Sequence, residues 1–124
     1  MKKIIQIIYK NIAKLFFGTG IGKIKIISKV NKYFTSKLKP DFIIINNIKY
    51  FLDKHDSLGL SITNIHEKTE TELVKQEIQE GDYVVDVGAH IGYFSLIFSK
   101  IVGKQGKVFS FEAEPSNFEI LKKN

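Results

Sequence analysis

The 124-residue chain has no cysteine, no arginine and only two prolines. Without cysteine there are no disulfide frameworks, thiolate zinc sites or cysteine nucleophiles, and a cytoplasmic setting fits that lack. Without arginine, lysine supplies all 19 basic side chains, and heavy use of Ile, Lys and Asn reads as the bias of an AT-rich genome rather than as a functional signal. Acid is missing from one end only. Residues 1–40 hold ten lysines and no acidic residue, whereas residues 41–124 hold nine lysines against thirteen acids. The net charge of +6 therefore splits into +10 and −4, and nucleic-acid binding by the main body is not supported. His55 and His66 have no partner at metal-ligand spacing, so no metal is expected.

What is present is 44% hydrophobic and 26% charged, close to the globular average. Ile5, Ile8, Ile12, Leu15 and Phe16 fall at helical spacing among lysines, and Ile27, Val30, Phe34 and Leu38 repeat the pattern before Pro40. These predict two basic amphipathic helices. Their apolar faces are expected to pack on the domain; weak contact of residues 1–38 with an anionic membrane surface is the alternative.

From Phe42 the period shortens. Phe42–Ile45 and Ile48–Leu52 are β-rich runs joined by Asn46-Asn47, a pair that tolerates the positive φ of a hairpin turn. Asp53–Ser61 reads as loop. Thr69 and Glu72 have capping-box spacing, which predicts a helix over 68–79 with Gly81 as its stop. Tyr83–Val87 is a nearly continuous apolar run of the kind that forms a parallel strand covered on both faces. Gly88–Gly92 then predicts a turn, Tyr93–Val102 a helix, Lys107–Phe111 a second strand, and Pro115 the first turn of another helix. The order is one β-α-β unit.

Two acids mark the strand ends. Asp86 closes the first strand, and Glu112 follows the second, twenty residues after Gly92. Ligands of open parallel sheets bind at the carboxyl ends of the strands, so both acids are expected to face one crevice. A carboxylate such as Glu112 can accept from both hydroxyls of a ribose. The pattern Gly88-x-x-x-Gly92 differs from the dinucleotide G-x-G-x-x-G, and Asp86, standing at the first glycine position, would repel a pyrophosphate. The charge suits a ligand with an ammonium or sulfonium group, and S-adenosylmethionine carries both.

The runs from Gly81 to Tyr93 and from Val108 to Phe118 resemble the FkbM-type methyltransferases, and the likeness extends over about residues 42–124. The resemblance implies a Rossmann-like, doubly wound α/β methyltransferase sheet, truncated after the second core strand and preceded by the hairpin and basic helices. It divides the chain into a basic segment (1–40), a lead-in (41–80) and an incomplete S-adenosylmethionine-binding domain (81–124). Asp86, Gly88, Ala89, His90 and Gly92 would line the methionine and ribose part of the cofactor, Glu112 would hold the ribose, and Glu67 would lie near the cofactor mouth. His90 stands where the family often has asparagine. The implied reaction is O-methylation of a sugar or other small hydroxyl acceptor, with the general base unassigned. An N-terminal fragment is expected, served by a complementing C-terminal half and little active by itself. An inactive remnant and a module peripheral to the membrane are the other readings.

Overall fold

The computed structural model describes residues 4–5, 7–9, 11–12, 37 and 39–124. The first basic helix is represented by residues 4–12, where those described are helical. Ile4, Ile5, Ile7, Ile8 and Ile12 are exposed there, so the expected packing of this apolar face on the domain is not seen at these residues. The second basic helix lies outside the described residues except for the helical Lys37. Among the described residues no helix is long and apolar enough to cross a membrane.

The chain from Phe42 is a mixed α/β fold with two short sheets. Strands β1 (Phe42–Ile45) and β2 (Ile48–Phe51) form an antiparallel hairpin, with Ile45 paired to Ile48. Asn46 and Asn47 make its turn at φ 50° and 63°, the left-handed conformation that asparagine tolerates. The Lys49 ammonium lies 4.2 and 4.3 Å from the ring centres of Phe42 and Phe51, covering part of the hairpin's outer face.

Within the segment expected to be loop, a one-turn helix α1 (Leu60–Thr63) forms because the buried Asp56 accepts from the main-chain N–H groups of Leu60 and Ser61, both at 2.9 Å, and from the Ser61 hydroxyl. Helix α2 (Lys68–Glu77) starts one residue before Thr69 and ends two before Gln79. The expected capping box is absent. Glu67 occupies the N-cap in a left-handed conformation with no side-chain cap bond, and Thr69 and Glu72 lie inside the helix. Gly81 is not the stop either. Ile78 turns extended, and the Gln79 N–H goes to Asp82 Oδ2 at 2.8 Å, which redirects the chain into the next strand.

Strands β3 (Tyr83–Val87) and β4 (Lys107–Phe111) pair in parallel, Val87 opposite Phe111, joined by α3 (Tyr93–Val102). Helix α4 (Pro115–Leu121) follows, with Pro115 in its first turn and Glu114 as its cap. The expectation of strands covered on both faces is met on one. Val84, Asp86, Val108 and Ser110 are partly buried, but Tyr83, Val85, Val87, Phe109 and Phe111 on the opposite face are exposed.

The core lies elsewhere. Tyr50, Leu52 and Leu60 pack with Ile91, Tyr93 and Ile97 in one cluster. The hairpin and α1 thus press directly on the turn between β3 and α3, and the burial of Ile91 to 0% exposure anchors that turn to the rest of the fold.

Candidate functional site

The turn Gly88–Gly92 is held from three sides. The main-chain N–H groups of Gly88 and Ala89 both donate to the Phe111 carbonyl at 2.9 Å, which fixes the turn to the end of β4. The N–H of Gly92 closes on Ala89 O at 2.7 Å. The Asn124 amide donates to Ile91 O at 2.6 Å while exchanging two bonds with the Phe51 main chain, at 2.7 and 3.2 Å, so one side chain ties the turn to β2.

The two glycines differ. Gly88 has φ 78°, and a Cβ placed on it would meet nothing within 4 Å, so backbone here is open to a ligand. Gly92 has φ 86°, and its Cβ would lie 2.7 Å from Leu121 Cδ1. It serves the start of α3 and the close approach of α4.

Glu112 is where the sequence puts it, at the mouth of this turn. Its Oε2 accepts the His90 N–H and its Oε1 the Glu114 N–H, both at 2.8 Å. The N–H of Glu114, then that of His90, hold its carboxyl below the ordinary 4.5 against a smaller desolvation push; the Asn117 side chain and the His90 ring add to the lowering. A carboxylate has about four lone-pair positions, so an anionic acceptor with capacity left for hydroxyl donors sits at the strand end.

Asp86, in β3 opposite Ser110 of β4, is not bonded to Glu112, which follows β4. Its Oδ2 accepts the Ser95 hydroxyl at 2.5 Å, and Ser95 accepts from Ser110 at 2.8 Å. Asp86 thus also ties β3 to α3 and β4. Glu67 is not brought into contact with the turn: its Oε1 lies 3.6 Å from His66 Nε2. The connection is indirect, through the His66 ring set edge-on to Tyr93 with centres 5.8 Å apart.

Ser95, Ser110, Asn124 and the pair Asp53 and Ser57 are the participants that sequence reading missed. Asp53 Oδ1 accepts the His55 N–H at 2.8 Å; its Oδ2 accepts the Ser57 N–H at 2.9 Å and the Ser57 hydroxyl at 2.7 Å. Partial burial pushes the Asp53 carboxyl up, but these bonds, with His90 nearby, hold it below the ordinary 3.8. The Ser57 Oγ is also 3.3 Å from His90 Nε2. Only a D-x-x-x-S spacing in a loop could have hinted at the first link, and nothing local signals the second.

A cavity of about 420 Å³ lies between the hairpin, α2 and the side of α3 that carries Tyr93 and Ile97. Ser95, on a different side of that helix, meets the strands, so this space is separate from the strand-end turn. Burial, with Tyr93 adding, pushes the Tyr50 hydroxyl beside it above its ordinary 10.0.

Comparison with known proteins bears on the same region. The family model described as the TRM5/TYW2 methyltransferase domain matches residues 46–124. Curated relatives include a protein-L-isoaspartate O-methyltransferase of Methanococcus maripaludis, 45% identical over 38% of this chain and 22% of its own length. Another is protein-L-isoaspartate O-methyltransferase 1 of Archaeoglobus fulgidus, 40% identical over 39% of this chain and 22% of its own. The matching part of the chain thus spans about a fifth of these relatives. No solved structure matches. The family and the relatives imply S-adenosylmethionine as the cofactor; they support the methyltransferase class without selecting the FkbM type.

Proposed function

The chain belongs to the TRM5/TYW2 methyltransferase domain family, and on that footing we propose that residues 81–124 hold S-adenosylmethionine for methyl transfer to an oxygen acceptor. The observation that carries this reading is Glu112, an ionised carboxylate fixed beside the open Gly88 turn at the carboxyl end of a parallel strand pair. Glu112 receives the ribose hydroxyls, which displace the Asn117 donor. Gly88, Ala89, His90 and Gly92 present main chain to the cofactor. Asp86, oriented by Ser95, supplies negative charge toward the ammonium and sulfonium groups, and Glu67 stands at the rim. The cofactor supplies an activated methyl group; the chain holds it in line with the acceptor, and the base that takes the acceptor's proton is unassigned.

For the acceptor, the FkbM-type resemblance supports a sugar or similar small hydroxyl, together with a Rossmann-like, doubly wound sheet completed by a further C-terminal half. That half would cover the exposed face of Val85, Val87, Phe109 and Phe111. A second reading, the carboxyl of an isoaspartyl peptide, is favoured by the names of the relatives. Labelled S-adenosylmethionine offered with each acceptor class separates the two. Isothermal titration with S-adenosylmethionine against wild type and Glu112→Ala tests the site. Binding that is lost in the variant supports it, and equal heats overturn it.

The exposed isoleucines at 4–12 favour membrane-surface contact of the basic segment over packing. Co-sedimentation with anionic vesicles should fall when residues 1–38 are removed; unchanged sedimentation contradicts this.

A further inference from the structure

Asp53 and Ser57 belong to the loop after the hairpin, and they meet the turn after β3 at the His90 imidazole: Asp53 accepts from Ser57, whose Oγ lies beside His90 Nε2. The Ser57 hydroxyl has a single proton. At 2.7 Å from the Asp53 carboxylate and 3.3 Å from His90 Nε2, that proton goes to the charged, nearer acceptor. The Ser57 lone pair then faces Nε2, which must carry hydrogen. The other ring nitrogen is compatible with this assignment. His90 Nδ1 is buried with no hydrogen-bond partner, and a proton there would be a buried donor with no acceptor.

His90 is also a non-glycine residue at φ 52°, a conformation that persists only where the surroundings hold it. Two pins do so. The main-chain N–H is held by Glu112 and the ring by Ser57. A ribose on the remaining lone pairs of Glu112 would weaken its hold on the His90 N–H, and the ring pin then acts with the bonds of Gly88, Ala89 and Asn124 to keep the turn in place while the cofactor binds.

We propose that Asp53 and Ser57 are positioning residues of the cofactor turn, locking the His90 imidazole in its Nε2–H tautomer and thereby holding the main chain of residues 88–92 for S-adenosylmethionine. This rests on the reading of that turn as the cofactor site.

The test has two readouts on the full chain. Imidazole ¹⁵N NMR of the free protein, at a pH high enough to keep the ring neutral, should give a pyrrole-type Nε2 and a pyridine-type Nδ1 for His90, a signature that Ser57→Ala and Asp53→Asn convert to a tautomer mixture and that Ser57→Thr retains. Titration with S-adenosylmethionine should weaken roughly five- to tenfold in Ser57→Ala, the scale of one hydrogen bond, and recover in Ser57→Thr. Amide spectra report whether each variant folds, and Ser57→Thr keeps the test open should Ser57→Ala not fold. A mixed or Nδ1–H tautomer in wild type overturns the lock. Wild-type binding that Ser57→Ala leaves unchanged, with the tautomer lost, overturns the positioning role. If wild type keeps the tautomer but binds no S-adenosylmethionine, the cofactor reading fails instead, and the positioning role with it.

Discussion

The Glu112 carboxylate and the His90 main chain meet at 2.8 Å across 22 residues of sequence, joining the end of β4 to the turn after β3. Every element of the site is referred to this contact. It fixes the carboxylate that is to receive a ribose, and it holds the strained residue whose ring reaches the Ser57 loop.

Acid should loosen this contact. The carboxyls of Glu112 and Asp53 both lie below their ordinary values of 4.5 and 3.8 in the folded chain. Their contribution to stability is therefore complete above those values and is lost as pH falls through the lower folded ones. Urea unfolding in steps below pH 4.5 should show wild type losing stability more steeply than the Asp53→Asn, Glu112→Gln double variant. Parallel acid slopes would contradict it.

Gly88 in the turn and Gly106, the residue immediately before β4, are told apart by substitution. Gly88→Ala meets open space, so only its φ of 78° opposes it, at about 1–2 kcal/mol. Gly106→Ala would bring a Cβ to 2.4 Å from Val102 Cβ and 2.5 Å from the Asp82 carbonyl, costing about 2–3 kcal/mol. Thermal melts should rank Gly106→Ala below Gly88→Ala, while cofactor titration should show the larger binding loss in Gly88→Ala among folded protein.

Core truncation should act on the site as well as on stability. Ile91 is fully buried between the hairpin residues and α3, so Ile91→Ala should cost about 2–5 kcal/mol in urea unfolding. Asn124→Ala leaves the Phe51 N–H and the Ile91 carbonyl without their partner, and should cost about 1–3 kcal/mol.

These sites also mark what was legible in the sequence. The hairpin, the turn Gly88–Gly92 and the strand ends at Asp86 and Glu112 follow from local period and turn chemistry, and they stand where that reading places them. The capping box at Thr69 and Glu72 fails because Thr71, buried against Tyr93 and bonded to the His66 carbonyl at 2.7 Å, sets where α2 begins. The strand-end position of Asp86 points to a ligand; its bond to Ser95 depends on how α3 lies over the sheet, which spacing cannot supply. The links of Asn124 to Phe51 and of Ser57 to His90 span 73 and 33 residues and have no local signature at all.

The central claim is that S-adenosylmethionine occupies the turn beside Glu112, and amide shift mapping during titration with it tests this most directly. The account predicts the largest changes at Gly88–Gly92 and Glu112–Glu114, with smaller ones at Ser57. Changes confined to the residues around the separate cavity, such as Tyr50, Thr71 and Ile97, or no changes anywhere, would contradict it.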